Sequence, residues 1–146
     1  MREHSLSKIE VHVAGLCFKE NKVLLAKRSS HKKLFPEYWE GCGGQVQSDE
    51  NFEEAITRKF KEELGIVVKT PKLFKTYEIL TPNSNQKKIP GLRFICFFES
   101  YFNGKSSQIT TEHTEYRWVH LNELDQLNLI PSLKEDITEA FQLISN

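Results

Sequence analysis

Cysteine, long apolar runs and any excess of one charge are all scarce in this 146-residue chain. The three cysteines, Cys17, Cys42 and Cys96, are odd in number and widely spaced. That excludes a disulfide framework and suggests no zinc knuckle. Cys17 and Cys96 stand inside apolar stretches and read as buried thiols. The longest apolar run, Val13 to Phe18, falls far short of the ~20 residues that cross a bilayer. The opening Met1-Arg2-Glu3-His4-Ser5 leads into no signal-peptide core, so a reducing cytoplasm is the expected location. Lysine plus arginine count 20 and aspartate plus glutamate count 20. A net charge of zero argues against a nucleic-acid coat protein or a polyanionic tail. No membrane association and no stable nucleic-acid partner are therefore expected. With 38% hydrophobic and 27% charged residues, the composition is that of a globular protein, and the length suits one compact domain over residues 1–146.

Along the chain, Ile9 to Val13 alternates apolar and polar residues, the period of a strand, and continues to Phe18. Lys19 to Lys22 reads as a turn into a second strand, Val23 to Ala26. Ser29 to Pro36 is a basic loop. Gly41-Cys42-Gly43-Gly44 marks a sharp turn or a close backbone approach. Asn51 to Leu64 reads as a helix capped by Asn51, with Glu54 completing a capping box and Gly65 as the stop. Ile66 to Leu80 is strand material broken by Pro71. Thr81 to Pro90 reads as a long polar loop. Leu92 to Phe102 is the strongest strand, Asn103-Gly104 a turn, Glu115 to Leu121 another strand, and Leu133 to Ile144 a helix. This mixture predicts an α/β or α+β protein with helices covering a mixed sheet.

The helix from Asn51 departs from its own pattern. At 100° per residue, Phe52, Ala55, Ile56, Phe60 and Leu64 form one apolar stripe. Glu63 projects between Phe52 and Ile56, on the side that should be buried, and Lys59 lies one turn before it. Glu62 lies at the stripe's edge. A carboxylate there needs compensation, the more so in the last turn, where the helix dipole is negative. Two explanations are open. Glu63 pairs with Lys59 and both reach water past the helix end, or Glu62 and Glu63 form a site for Mg²⁺ or Mn²⁺, which prefer oxygen ligands.

Gly44, five residues, Glu50, seven residues, then Arg58-Lys59-Phe60-Lys61-Glu62-Glu63-Leu64-Gly65-Ile66 resembles the Nudix box, Gly-x5-Glu-x7-Arg-Glu-U-x-Glu-Glu-x-Gly-U, with U a bulky aliphatic residue. Of nine specified positions seven match: Gly44, Glu50, Arg58, Glu62, Glu63, Gly65 and Ile66. Phe60 is an aromatic substitute, and Lys59 stands where the pattern has glutamate. Leu24 to Arg28, Tyr38 to Glu40 and Glu112 to Val119 are also similar to the family's surroundings of the box. The resemblance implies an α/β/α sandwich with a mixed β-sheet. It implies a pyrophosphohydrolase that cleaves the phosphoanhydride of a nucleoside diphosphate linked to another moiety, such as a nucleoside triphosphate or a nucleoside-diphosphate sugar. The implied cofactor is Mg²⁺ or Mn²⁺ held by Glu62 and Glu63. Gly44, Glu50, Arg58 and Gly65 would shape the loop-helix motif, and a homodimer is within the family's range.

Lys59 bears on activity, because the glutamate it replaces serves the family as a metal ligand and, in some members, as general base. A protonated lysine does neither. At ~8 Å it repels a divalent ion by roughly 4 kcal/mol at an effective dielectric of 20. In one reading an acid of the late strand, Glu115 or Glu112, supplies the base and hydrolysis survives. In the other, Lys59 takes the cation's place and the domain binds a nucleotide or a protein partner without turnover. A scaffold using the basic loop and the Thr81–Pro90 loop is a third reading. Among Lys27, Arg28, Lys32 and Lys33, Arg28 closes the second strand and is the candidate phosphate contact. Phe35, Tyr38 and Trp39 are candidates to stack a base, although Trp39 suits the core better. His113 reads as a solvated loop residue, and Cys42 as a small residue among glycines.

Overall fold

The computed structural model describes residues 9–80, 88–102 and 112–145. Strands β1 (His12–Lys19) and β2 (Lys22–Arg28) form a hairpin, with Phe18 opposite Val23 and Lys19 opposite Lys22. Beyond that end the two strands splay apart. The fork is filled by β3 (Trp39–Glu40), which pairs with β2, and β4 (Cys42–Gln45), which pairs with β1. On its other edge β1 runs parallel to β6 (Lys88–Tyr101), and β6 pairs antiparallel with β5 (Ile66–Leu80). Strand β7 (His113–His120) lies antiparallel to β2. The sheet is therefore mixed, as expected.

Strand periodicity sorts the side chains onto two faces. Val13, Cys17, Leu24, Ala26, Phe94 and Cys96 face one helix, α1 (Phe52–Lys59), and meet Ala55 and Ile56 there. Leu16, Phe18, Val23, Leu25, Ile95 and Val119 face the other, α2 (Leu133–Ser145), and meet Leu133, Ile137, Ala140 and Phe141. Each large aliphatic or aromatic side chain buried this way contributes roughly 1.5–3 kcal/mol.

Several boundaries differ from the sequence expectation. β1 begins at His12, not Ile9. Of the two readings of the glycine stretch, the close backbone approach holds: Cys42–Gln45 is strand β4, paired with β1. Pro71 does not break β5. A bulge between Lys69 and Lys72, with Thr70 at φ 47°, keeps Pro71 out of the ladder to which it has no N–H to give. Lys88 to Pro90, expected as loop, open β6, with Ile79 opposite Ile89. The remainder of that expected loop, Thr81 to Lys87, the Asn103-Gly104 turn and Met1 to Lys8 lie outside the described residues. Leu121 belongs to a 3₁₀ segment, Leu121–Gln126, rather than to β7.

Candidate active site

The site is built at the end of α1. Asn51 caps the helix by accepting from the Glu54 N–H at 2.7 Å, while Glu54 accepts from the Asn51 N–H at 2.8 Å. Ala55 and Ile56 are fully buried, but Phe52, counted in the stripe from periodicity, is 45% exposed. After Lys59 the helix widens into a π-helical turn, Phe60–Leu64, that ends on Gly65 in the left-handed conformation at φ 66°. Glycine adopts that φ without the cost of a Cβ. The π turn carries Glu62 and Glu63. It is anchored by Phe60 and Leu64 in the core, and Tyr116 donates its hydroxyl to the Glu63 carbonyl at 2.8 Å. That bond satisfies one of the carbonyls a helix end leaves open. Single π turns of this kind recur at functional sites.

Arg58 organises the acids. Its Nε donates to Glu50 Oε2 at 2.9 Å and its Nη2 to Glu50 Oε1 at 2.7 Å. Nη1 donates to Glu62 Oε1 at 3.0 Å, and Nη2 also reaches the Gln45 carbonyl at 3.2 Å. This forked pairing ties helix, loop and β4 together. The hydrogen bond from Arg58 holds the Glu50 carboxyl below the usual carboxylate range.

Glu63 lies on the buried side, as its projection predicts, at 9% exposure. Lys59 Nζ is 2.7 Å from its Oε2, and the Cys42 thiol donates to its Oε1 at 3.6 Å. Burial works against the lysine charge, but the hydrogen bond and attraction of Glu63 outweigh it and raise its pKa above the usual value. Gly44 makes room for this arrangement: a Cβ there would stand 2.5 Å from Lys59 Cε and 2.8 Å from Nζ. Burial and the adjoining Glu63 push the Cys42 thiol well up, so it is no nucleophile at neutral pH. Cys17 and Cys96 are likewise buried, and burial pushes the Cys96 thiol up to about 12.

The structure does not bring every expected residue to this place. Glu115 is on the opposite face of the sheet. Tyr116 and Trp118 pack on the α1 side, so Glu115 and Arg117 point to the α2 side, where they pair at 2.8 Å and Arg117 covers the Trp39 ring. A strand turns alternate residues to opposite faces, and the residue that reaches the helix end is Tyr116, which the sequence reading passed over. The alternation Tyr116, Trp118 was the available signal. Arg28, expected at a phosphate, spends its guanidinium on Glu40 at 2.8 Å and on the Leu34 and Phe35 carbonyls. It fastens its own loop. His113, expected in solvent, is 1% exposed, with Nε2 2.8 Å from Glu40 Oε2. Burial alone would raise the Glu40 carboxyl, but the hydrogen bonds to His113 and Arg28 hold it low. Trp39 is in the core at 4% exposure.

An open cleft of about 1180 Å³ adjoins the helix end, lined by Ile9, Glu10, Gln45, Val46, Gln47, Ser48, Asp49, Arg58, Lys59 and Glu62. Its mixed charge and amide-rich wall suit a polar, multiply charged ligand. Among the described residues no three His, Cys, Asp or Glu side chains converge as a metal-ligand set. Glu62 and Glu63 nevertheless supply two adjacent hard oxygen donors. Mg²⁺ is commonly held by one or two carboxylates with substrate phosphates and water completing its shell. Glu62 and Glu63 could hold a single divalent ion only once Lys59 has withdrawn from Glu63 Oε2.

A mixed sheet between helices on both faces, with a glycine strand feeding a capped helix that ends in paired carboxylates, is the architecture that the resemblance implied. A family model, the NUDIX domain, matches residues 8–141, and the chain belongs to the Nudix family of hydrolases. A prenyl-diphosphate phosphatase of Methanosarcina mazei is 30% identical over 137 residues, covering 84% of this chain and 74% of that protein. An 8-oxo-dGTP diphosphatase of Buchnera aphidicola is 27% identical, covering 89% of this chain and 91% of its own. Among solved structures, a NUDIX hydrolase from Nitrosomonas europaea matches with a TM-score of 0.72 at 18% identity, over 93% of this chain and 90% of the other. A MutT protein from Methanosarcina mazei matches at 0.68 and 24% identity, over 97% and 99%. The fold is thus the Nudix α/β/α sandwich. Among the described residues no helix is long and apolar enough to cross a membrane.

Proposed function

We propose that this chain, acting as one domain in the cytoplasm, hydrolyses a phosphoanhydride in a nucleoside diphosphate linked to another moiety, with Mg²⁺ or Mn²⁺ as cofactor. The observation that carries this is the pair Glu62 and Glu63 on a π turn, with Glu62 facing the cleft under Arg58's control. The ion, held by Glu62 and Glu63, would neutralise diphosphate charge and polarise the phosphorus when bound. Arg58 fixes Glu62 from one side, so that its carboxylate is placed against the cleft. The proton of the attacking water passes to bulk water as the new P–O bond forms. The anhydride P–O bond breaks, and its electron pair leaves with the departing phosphate. The Gln45 carbonyl, accepting from Arg58, holds β4 close to the helix end. The polar lining of Gln45, Gln47, Ser48 and Asp49 favours a nucleotide-like ligand over an isoprenoid chain.

The test is turnover by the full chain with Mg²⁺ or Mn²⁺ on nucleoside triphosphates, nucleoside-diphosphate sugars and a prenyl diphosphate. Phosphate or monophosphate release is the readout. Release from the polar substrates, lost on Glu62→Gln, supports the reading. No turnover of any of them overturns it and leaves a nucleotide- or protein-binding domain.

A further inference from the structure

Lys59 and Arg58 are neighbours on one helix and both line the cleft, yet they are differently engaged. Arg58 contacts two carboxylates and a carbonyl. Lys59 is ion-paired with one carboxylate, with Cys42 and Glu62 acting on it as further electrostatic neighbours, and its ammonium has three donors. Its side chain is 18% exposed and its tip occupies the space that Gly44 leaves open. A cation is thus fixed against the glycine strand, beside the acids that would take the metal, with donors to spare.

We infer that Lys59 is a diphosphate-binding residue, its ammonium contacting the substrate's phosphate oxygens directly and, until substrate arrives, keeping Glu63 from binding a divalent ion. This rests on the hydrolase reading for the identity of the ligand and adds an order to it: diphosphate and metal enter together, and free metal binds poorly. A compact ammonium suits this role because it acts as a point charge that can be shared between a carboxylate and a phosphate.

Two measurements without turnover test the inference. In the first, inorganic pyrophosphate is titrated calorimetrically into the full chain in excess EDTA. Lys59→Met should weaken binding at least tenfold, and Lys59→Arg should stay within about threefold of wild type. Glu63→Gln should tighten binding, because it removes the competing carboxylate. A purely structural ion pair would make Lys59→Met and Glu63→Gln fall together, and that result overturns the inference. If Lys59→Met alone does not fold, the double variant Lys59→Met/Glu63→Gln, which buries no unpaired charge, is compared with Glu63→Gln. In the second, Mn²⁺ binding without nucleotide is followed by electron paramagnetic resonance. Lys59→Glu should bind at least tenfold tighter than wild type, and unchanged affinity overturns the inference. Loss of turnover on every substrate with Lys59-dependent pyrophosphate binding intact would remove the hydrolase reading and leave this one. Turnover with Lys59-independent binding would do the reverse.

Discussion

Both helices bury an acid against the sheet, and the two acids are compensated in different ways. On α2, Asp136 is 5% exposed and receives Lys75 Nζ at 2.8 Å, and Arg93 Nε lies 3.0 Å away. Those cations come from β5 and β6, and Arg93 is itself stacked on the Tyr77 ring. On the other side, Glu63 takes its cation from Lys59, one turn earlier in the same helix. The first network joins three elements and works as a tether. The second takes its cation from within the helix, meets the sheet through the weak Cys42 thiol contact rather than through a charge, and adjoins a cleft. A buried charge pair that crosses elements holds a fold together, whereas one confined to a helix end beside a cleft is available for chemistry.

Substitutions that should behave oppositely would sharpen this contrast. The largest effect is expected from Asp136→Ala. It leaves Lys75 and Arg93 without their carboxylate and should cost about 3–5 kcal/mol, as breaking a buried pair does. Urea denaturation measures the loss, and turnover per folded molecule should be unchanged. Glu63→Gln should do the reverse, lowering turnover by about a hundredfold (roughly 2.7 kcal/mol in the barrier) with a smaller loss of stability. If Glu63→Gln destabilises as much as Asp136→Ala and spares turnover, the contrast fails.

A smaller effect, with a pH signature, should come from the Glu40–His113–Arg28 cluster that closes the loop after β2. The Glu40 pKa is lower in the folded chain than its ordinary value near 4.5. The folded state therefore binds the proton less readily than the unfolded one. The stability Glu40 confers is fully present above pH 4.5 and is lost as pH falls through the folded pKa. Glu40→Gln should lower stability at neutral pH by about 1–3 kcal/mol and flatten the acid limb of a stability–pH curve. An acid limb unchanged by Glu40→Gln would assign it to other carboxylates, Glu50 among them.

How much of this was legible beforehand depends on whether a residue's role is local or long-range. The capping box at Asn51, the stop at Gly65 and the buried projection of Glu63 are consequences of helix geometry within a few residues, and the structure shows each one. The resemblance to the Nudix box rests on fixed spacing, and the family followed from it. The placement of Glu115 was not readable, because strand parity must be fixed before a side chain can be given a face. The apolar pattern of the preceding loop did not fix it. His113 was missed because burial there depends on Glu40, 73 positions away. The π turn left no mark in the sequence, since its hydrogen bonds differ from those of an α-helix while its apolar positions do not. The Lys59–Glu63 pair was anticipated as one of two alternatives, but the fit of its ammonium against Gly44 depends on the register of β4 on β1.

The smallest expected effect tests the hydrogen bond by which β7 reaches the site. Tyr116→Phe removes the hydroxyl that caps the Glu63 carbonyl and keeps the ring, which packs against the α1-side core. The carbonyl is at a helix end where water can replace the lost donor, so the stability cost should be about 1 kcal/mol. The π turn should loosen at the backbone of Glu63, while Phe60 and Leu64 continue to hold it in the core. Amide hydrogen exchange would then rise in residues 60–65 and stay unchanged in α2. Turnover should fall severalfold, less than for Glu63→Gln, because the carboxylate is kept but its orientation is less restricted. If Tyr116→Phe instead costs as much stability as Asp136→Ala, the β7 contact carries structural weight equal to the Asp136 network, and the division between a structural face and a chemical face would not hold.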